Sequence, residues 1–233
     1  MRYDVLLCDA DNTVFDFTRA EENAFTAACA GMGIAGAKAL LARYGAINEA
    51  LWKLLERGGI TQETLRVRRF EQFLAEIGHP GDARAMADCF ADALSRQSVP
   101  LPGAEEAVLR WSALLPVVIV TNGISRIQHG RMDRSPMRHA IRGMIISEEV
   151  GVAKPDPRMI ELGMEAAGVT DRRRVLMLGD SLSSDMAAAA NAGVDACWFN
   201  PRGVRHGGDL PIAYEIRSLD EVDAILTGRE ETE

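Results

Sequence analysis

The sequence predicts an α/β protein whose mainly parallel sheet is interrupted, after its first strand, by a bundle of helices. Three observations carry this. Short apolar runs recur at Val5–Cys8, 117–120, 144–146, 175–178 and 196–199. They are rich in Val, Ile and Leu without polar alternation, as in strands covered on both faces. Stretches of helical period lie between them, and such alternation implies parallel crossovers. Residues 19–98, by contrast, contain no strand-like run.

Each element follows from local chemistry. The first strand ends abruptly at Asp9. Helices are expected over 20–32 and Ala37–Glu56. A third, 61–77, opens on a Thr cap and carries Val67, Phe70, Phe73, Leu74 and Ile77 on one face. A fourth, 82–94, does the same with Met86, Cys89, Phe90, Ala93 and Leu94. Gly58-Gly59 and the stretch GHPGD separate these helices. The stretch VPLPGAEEA leads back into a helix over 103–114, with Ala107, Val108, Trp111 and Leu115 at helical spacing. Residues 157–167 begin on Pro and stop at Gly168, and the alanine-rich 183–192 stops at Gly193. The expected organisation is a Rossmann-like core over 1–17 and 99–233, helices on both sheet faces, with a helical bundle over 18–98. The tail GREETE is expected to fray.

Composition narrows the function. With 233 residues, 47% of them hydrophobic, the chain can build a core of about 150 residues and a smaller unit. A net charge of −8 excludes a broad basic face for nucleic-acid polymers or membranes, so an anionic substrate would need a local cation. The four cysteines form no CxxC pair, as expected of reduced, buried thiols. The four histidines lack zinc-ligand spacing. No leader is visible and no apolar run approaches the about 18 residues of a membrane span, so a cytoplasmic protein is expected. Only three of 26 basic residues are lysines, and one of them, Lys154, precedes Pro155 ahead of a helix.

In an open parallel sheet, ligands bind beyond the carboxyl ends of the strands. Four polar clusters fall at such places: Asp9-Ala10-Asp11-Asn12-Thr13, Thr121-Asn122-Gly123, Lys154-Pro155, and Gly179-Asp180-Ser181 with Asp185. Each alone is an ordinary turn or helix cap. Together they suit phosphoryl transfer, which needs cations and hydrogen-bond donors around a spread negative charge. Thr121, Asn122 and the Gly123 N–H can donate, and Lys154 can supply a point charge. Asp9 and Asp180 can hold a hard divalent ion. An ionised carboxylate can attack phosphorus, and a second can move the protons.

This set resembles the haloacid dehalogenase-like hydrolase superfamily, whose motifs match Asp9–Thr13, Thr121, Lys154 and Gly179-Asp180…Asp185, and whose α-helical cap matches the inserted bundle. The resemblance implies Asp9 as nucleophile and metal ligand, and Asp11 as general acid/base with its carbonyl on the metal. It implies phosphate binding by Thr121, Asn122, Gly123 and Lys154, Asp180 as a further ligand, and support from Asp185 and Thr13. Mg²⁺ is the implied cofactor, with Mn²⁺ able to substitute. Longer stretches (LWKLLERGGIT, VTNG, ISEEVGVAKP, NAGVDACWFNP) resemble the bacterial pyrimidine 5′-nucleotidase branch. That branch hydrolyses (deoxy)nucleoside monophosphates such as UMP, dUMP and dTMP, which implies specificity in the cap; a monomer or homodimer is expected of this chain. Trp52 and Phe15 could stack on a base or pack in a core. Other readings of the same motifs are a phosphatase of phosphoglycolate or a sugar phosphate, a sugar phosphomutase, a haloacid dehalogenase and a non-catalytic phosphate-binding regulator.

Overall fold

The computed structural model describes residues 1–228, the side chain of Glu56 excepted. Residues 229–233, most of the tail expected to fray, lie outside the described residues. The chain divides into two compact units. One comprises Met1–Asp16, Val99–Ser125 and the described part of the chain from Ser135 onward; the other comprises Phe17–Ser98 with Arg126–Arg134.

The first unit is built on a six-stranded sheet. Its strands are β1 (Val5–Cys8), β2 (Val117–Thr121), β3 (Gly143–Ile146), β4 (Val175–Gly179), β5 (Asp195–Phe199) and β6 (Tyr214–Ile216). They lie in the order β3-β2-β1-β4-β5-β6, every neighbouring pair parallel. The first five are the apolar runs read from the sequence, with ends shifted by one residue or none. β6 escaped notice because three residues, Tyr-Glu-Ile, carry too little apolar signal, and its pairing to β5 defines it.

Successive strand residues face opposite ways. Val5, Leu7, Val118, Val120, Val175 and Met177 therefore share one face, where Met159, Ile160 and Met164 meet them. Those three methionine and isoleucine side chains come from helix Arg158–Ala167, and Ala188, Ala189 and Ala192 come from helix Ala187–Ala192. Gly163 lets the first of these helices lie close: a Cβ there would come 2.8 Å from Leu7 Cδ2 and 3.2 Å from Val120 Cγ2. The helix Ala104–Leu114 packs against β2 and against Glu221–Thr227, burying Ala107, Val108 and Trp111.

The second unit contains α1 (Phe17–Gly31), α2 (Ala37–Glu56), α3 (Gln62–Glu76) and α4 (Ala83–Ser95). Thr61 and Asp82 cap α3 and α4 through their side chains, as their sequence positions suggest. Aromatic rings fill the centre: Phe25 stacks on Tyr44 at 4.5 Å between centroids, and Phe70 meets Phe90 at 5.3 Å. Arg69, 2% exposed, intrudes among them, its guanidinium 4.6 Å from the Phe90 ring centre and donating to Asn48 Oδ1 at 3.2 Å. Nothing in the sequence marks this arginine as buried. Arg126–Arg134, expected with the sheet, clusters with the helices. Arg131 explains why: its Nε donates to the Gln97 carbonyl at 3.1 Å and its guanidinium lies 5.7 Å from the Phe17 ring centre. Phe15 is fully buried and serves the core, whereas Trp52 is half-buried on α2.

The close helix–sheet contact at Gly163 yields a test. Gly163→Val forces a branched side chain into Leu7 and Val120, and overpacking of this kind costs about 1–3 kcal/mol. A lower urea midpoint for the sheet unit is expected; an unchanged midpoint would contradict the close packing.

Candidate active site

The turn after β1 aims the first two carboxylates. Asp9 N–H donates to the Leu178 carbonyl at 2.9 Å, still in ladder register. The chain then closes on itself, because the Val14 and Phe15 N–H groups both donate to the Ala10 carbonyl, at 3.1 and 2.9 Å. Asn12 takes φ 59, a left-handed conformation that Asn tolerates better than most residues. Its N–H donates back to Phe15 O at 2.8 Å. This loop moves half-buried Asp11 off the strand, so Asp9 and Asp11 do not simply share a sheet face as i and i+2. Thr13 Oγ1 donates to Asp9 Oδ2 at 3.3 Å.

The other oxygen of Asp9 takes a buried cation. Lys154 is 1% exposed, and its Nζ donates to Asp9 Oδ1 at 2.6 Å and to the Val120 carbonyl at 2.6 Å. Asp185 Oδ1 lies 2.7 Å from the same nitrogen. An ammonium has three donors, and here three acceptors surround it. Burial works against the charged lysine, but Asp185 and then Asp9 outweigh it and hold the ammonium above its ordinary pKa.

The carboxylates outnumber this cation. Asp180 follows β4, and Asp9, Asp180 and Asp185 offer oxygens all within 4.8 Å of one another. Burial first, and Asp185 second, push the Asp180 carboxyl up to about 7. An all-oxygen donor set, short of positive charge, fits a hard divalent cation. Asp185, like Asp9, is already engaged at both oxygens, by Lys154 and by the Ser181 N–H (3.0 Å to Oδ2). Asp180 is held by its main chain, whose carbonyl accepts from Trp198 Nε1 at 2.9 Å.

Asp9, Thr13, Asn122, Lys154, Asp180 and Asp185 thus come together near the carboxyl ends of β1, β2 and β4, where the sheet order reverses. Thr121 closes β2 and is buried, as is Gly123. Asn122 behaves differently from the expectation of a phosphate-binding side chain. Its amide is turned to Lys154, accepting from the Lys154 N–H at 2.7 Å and donating to the Lys154 carbonyl at 2.8 Å. The structure also adds Ser184, which sequence reasoning missed, and gives Gly179 a role. Ser184 accepts from Asn122 Nδ2 at 3.3 Å. Gly179 is required because a Cβ there would overlap the Asp185 carboxylate. Gly179 stood in the recognised motif and Ser184 beside it, but only their contacts reveal a role.

Comparison with known proteins supplies the family. A family model for haloacid dehalogenase-like hydrolases matches residues 3–193, and the chain belongs to that family. Among its relatives, the pyrimidine 5′-nucleotidase YjjG of Escherichia coli is 32% identical over 97% of this chain and 99% of its own length. The pyrimidine 5′-nucleotidase PynA of Streptococcus pneumoniae is also 32% identical, over 95% and 94%. The crystal structure of the HAD-hydrolase YfnB of Bacillus subtilis, bound to magnesium, matches with a TM-score of 0.90 and 30% identity over 97% of this chain and 99% of that one. None of the helices among the described residues is long and apolar enough to cross a membrane.

The raised Asp180 carboxyl has a consequence for stability. In the metal-free fold it keeps a proton that the unfolded chain releases, so stability falls as pH climbs from the ordinary carboxylate range through about 7. A divalent ion binds the ionised carboxylates, and its stabilising effect grows over the same window. Mg²⁺ is expected to raise Tm more at about pH 8 than at about pH 5, each measured against EDTA. Equal shifts at both values would contradict this site.

Proposed function

We propose that this hydrolase is a Mg²⁺-dependent phosphomonoesterase working through an aspartyl-phosphate, and that its substrates are pyrimidine (deoxy)nucleoside monophosphates such as UMP, dUMP and dTMP. The observation that carries the reaction class is the seat of Asp9: one carboxylate oxygen 2.6 Å from a buried ammonium, beside a second acidic group at the next strand end. The substrate class rests on the two pyrimidine 5′-nucleotidases matched over nearly their whole length.

In this reading an Asp9 oxygen attacks phosphorus while the phosphorus–oxygen bond to the nucleoside breaks. Asp11 gives its proton to the departing 5′ oxygen. Asp11, now ionised, takes a proton from water, which attacks the same phosphorus. The Asp9–phosphorus bond breaks, releasing inorganic phosphate and restoring the carboxylate. Burial pushes the Asp9 carboxyl up; Lys154 acts against that, favouring the ionised form, and meets charge on the transferred group. Thr121 and the main-chain N–H groups of Asn122 and Gly123 are the neutral donors. The Asp9 and Asp180 side chains and the Asp11 carbonyl would hold Mg²⁺, which supplies positive charge at the phosphoryl oxygens. The four cysteines are free thiols, which suits a cytoplasmic enzyme.

The test is phosphate release from UMP, dUMP, dTMP, phosphoglycolate and sugar phosphates. The pyrimidine nucleotides are expected to turn over fastest, with activity abolished by EDTA. Asp9→Asn is expected to fold yet lose at least about 10³-fold in kcat, since no nucleophile remains. Phosphoglycolate turning over as fast as dUMP would overturn the substrate class, and an active Asp9→Asn would remove the mechanism. Hydrolysis of a 2-haloacid that survives EDTA would replace it with dehalogenase chemistry.

A further inference from the structure

Lys154 is held at its root as well as at its tip. The tip, Nζ, donates to the Val120 carbonyl at 2.6 Å. Two residues on, the Asn122 amide pairs with both main-chain polar groups of Lys154, at 2.7 and 2.8 Å. The end of one strand thus grips the lysine at both extremes of its side chain. The next carbonyl along, that of Pro155, accepts from Asn191 Nδ2 at 2.9 Å.

A neutral primary amide offers two N–H donors and one carbonyl acceptor. In Asn122 the carbonyl receives the Lys154 N–H, and Nδ2 serves the Lys154 carbonyl and Ser184 Oγ at 3.3 Å. No donor of this side chain is left for a substrate oxygen. Ser184 lies next to Asp185, the other carboxylate on Nζ. Its own N–H donates to Ser181 Oγ at 3.2 Å, while the Ser181 N–H donates to Asp185 Oδ2 at 3.0 Å. One amide therefore ties together the loop after β2, the main chain of Lys154 and the turn that carries Asp185.

We propose that Asn122 is a positioning residue: its side chain fixes Lys154 between Asp9 and Asp185, with Ser184 completing the clasp, and it does not bind the substrate phosphate. The effect on turnover rests on the phosphoryl-transfer reading; the effect on the lysine does not. A lysine stem is four flexible carbons long, and a charge displaced by about 1 Å from its productive place can cost about 10²-fold in rate.

The experiment has two readouts. In crystal structures, Asn122→Ala is expected to release the Lys154 main chain and shift Nζ from its place between Asp9 and Asp185. A lysine that keeps its place would overturn the proposal whatever reaction the enzyme catalyses. In kinetics with the best nucleotide substrate, Asn122→Ala is expected to lower kcat by about 10²-fold while KM and the inhibition constant of inorganic phosphate stay within about three-fold. In a Lys154→Met background the same change is expected to add little further loss, because it acts through the lysine. A rise in KM and in the phosphate inhibition constant, persisting in that background, would make Asn122 a substrate contact instead. Should Asn122→Ala not fold, Asn122→Asp keeps the acceptor for the Lys154 N–H but loses the donor, and the same two readouts decide. A wild-type protein without phosphatase activity would overturn the reaction class and leave the crystallographic result to judge the clasp.

Discussion

Everything at the carboxyl edge of the sheet depends on one buried ammonium. Lys154 is 1% exposed, and a charge so placed is tolerated only when its donors are satisfied and its charge is matched. The acceptors come from three separate stretches: Asp9 after β1, Val120 at the end of β2, and Asp185 in the turn after β4. Parallel pairing of β1 with both β2 and β4 places these stretches side by side. The sheet order therefore acts as the first determinant of the site, before any side chain is considered. Burial at the same edge, and then the nearby charge of Asp185, push the Asp180 carboxyl up to about 7 in the metal-free fold.

Much of this was legible in the sequence, for a definite reason. The strands are buried on both faces, so they appear as unbroken apolar runs, and each polar cluster at the end of a run stands out against them. Asp9, Lys154, Asp180 and Asp185 could be gathered without coordinates because parallel strands put their carboxyl ends together. Helix limits were legible where a cap chooses them, as Thr61 and Asp82 do. What could not be read was direction. Asn122 is an amide at a strand end in either account, and only the structure shows it turned to Lys154. β6 is three residues long, and its neighbour defines it more than its composition does.

The helical unit shows the opposite balance. Its apolar faces repeat at helical period, so its helices are plain in the sequence. Its interior is not. Arg69 lies on α3 beside Phe70 and four residues before Phe73, where it packs against Phe70 and Phe90 and reaches Asn48. Asn48 in turn donates to Glu21 Oε1 at 2.8 Å. A cation enclosed by rings can be favourable where an isolated one is costly, because the ring faces carry negative charge. Periodicity records which side of a helix is apolar, but not that a long basic chain can fold back into that side. The assignment of Arg126–Arg134 to this unit has the same origin: Arg131 is buried against Gln97 and Phe17, contacts that no local pattern announces.

The scarcity of lysine in an arginine-rich chain now has a physical reading at position 154. Guanidinium donors lie in one plane and suit a flat, bidentate carboxylate. The acceptors here surround a single point: one oxygen from Asp9, one from Asp185 and a main-chain carbonyl, at 2.6 to 2.7 Å from one nitrogen. A compact ammonium can donate to Asp9 and to the Val120 carbonyl while its charge pairs with Asp185. An arginine would need more room in a space where a Cβ at the neighbouring Gly179 already overlaps the Asp185 carboxylate. It would also spread its charge away from the oxygen of Asp9. Lysine at this position is therefore set by the geometry of its acceptors, and the main-chain grip of Asn122 follows from the same demand, since a point charge is useful only where its position is fixed.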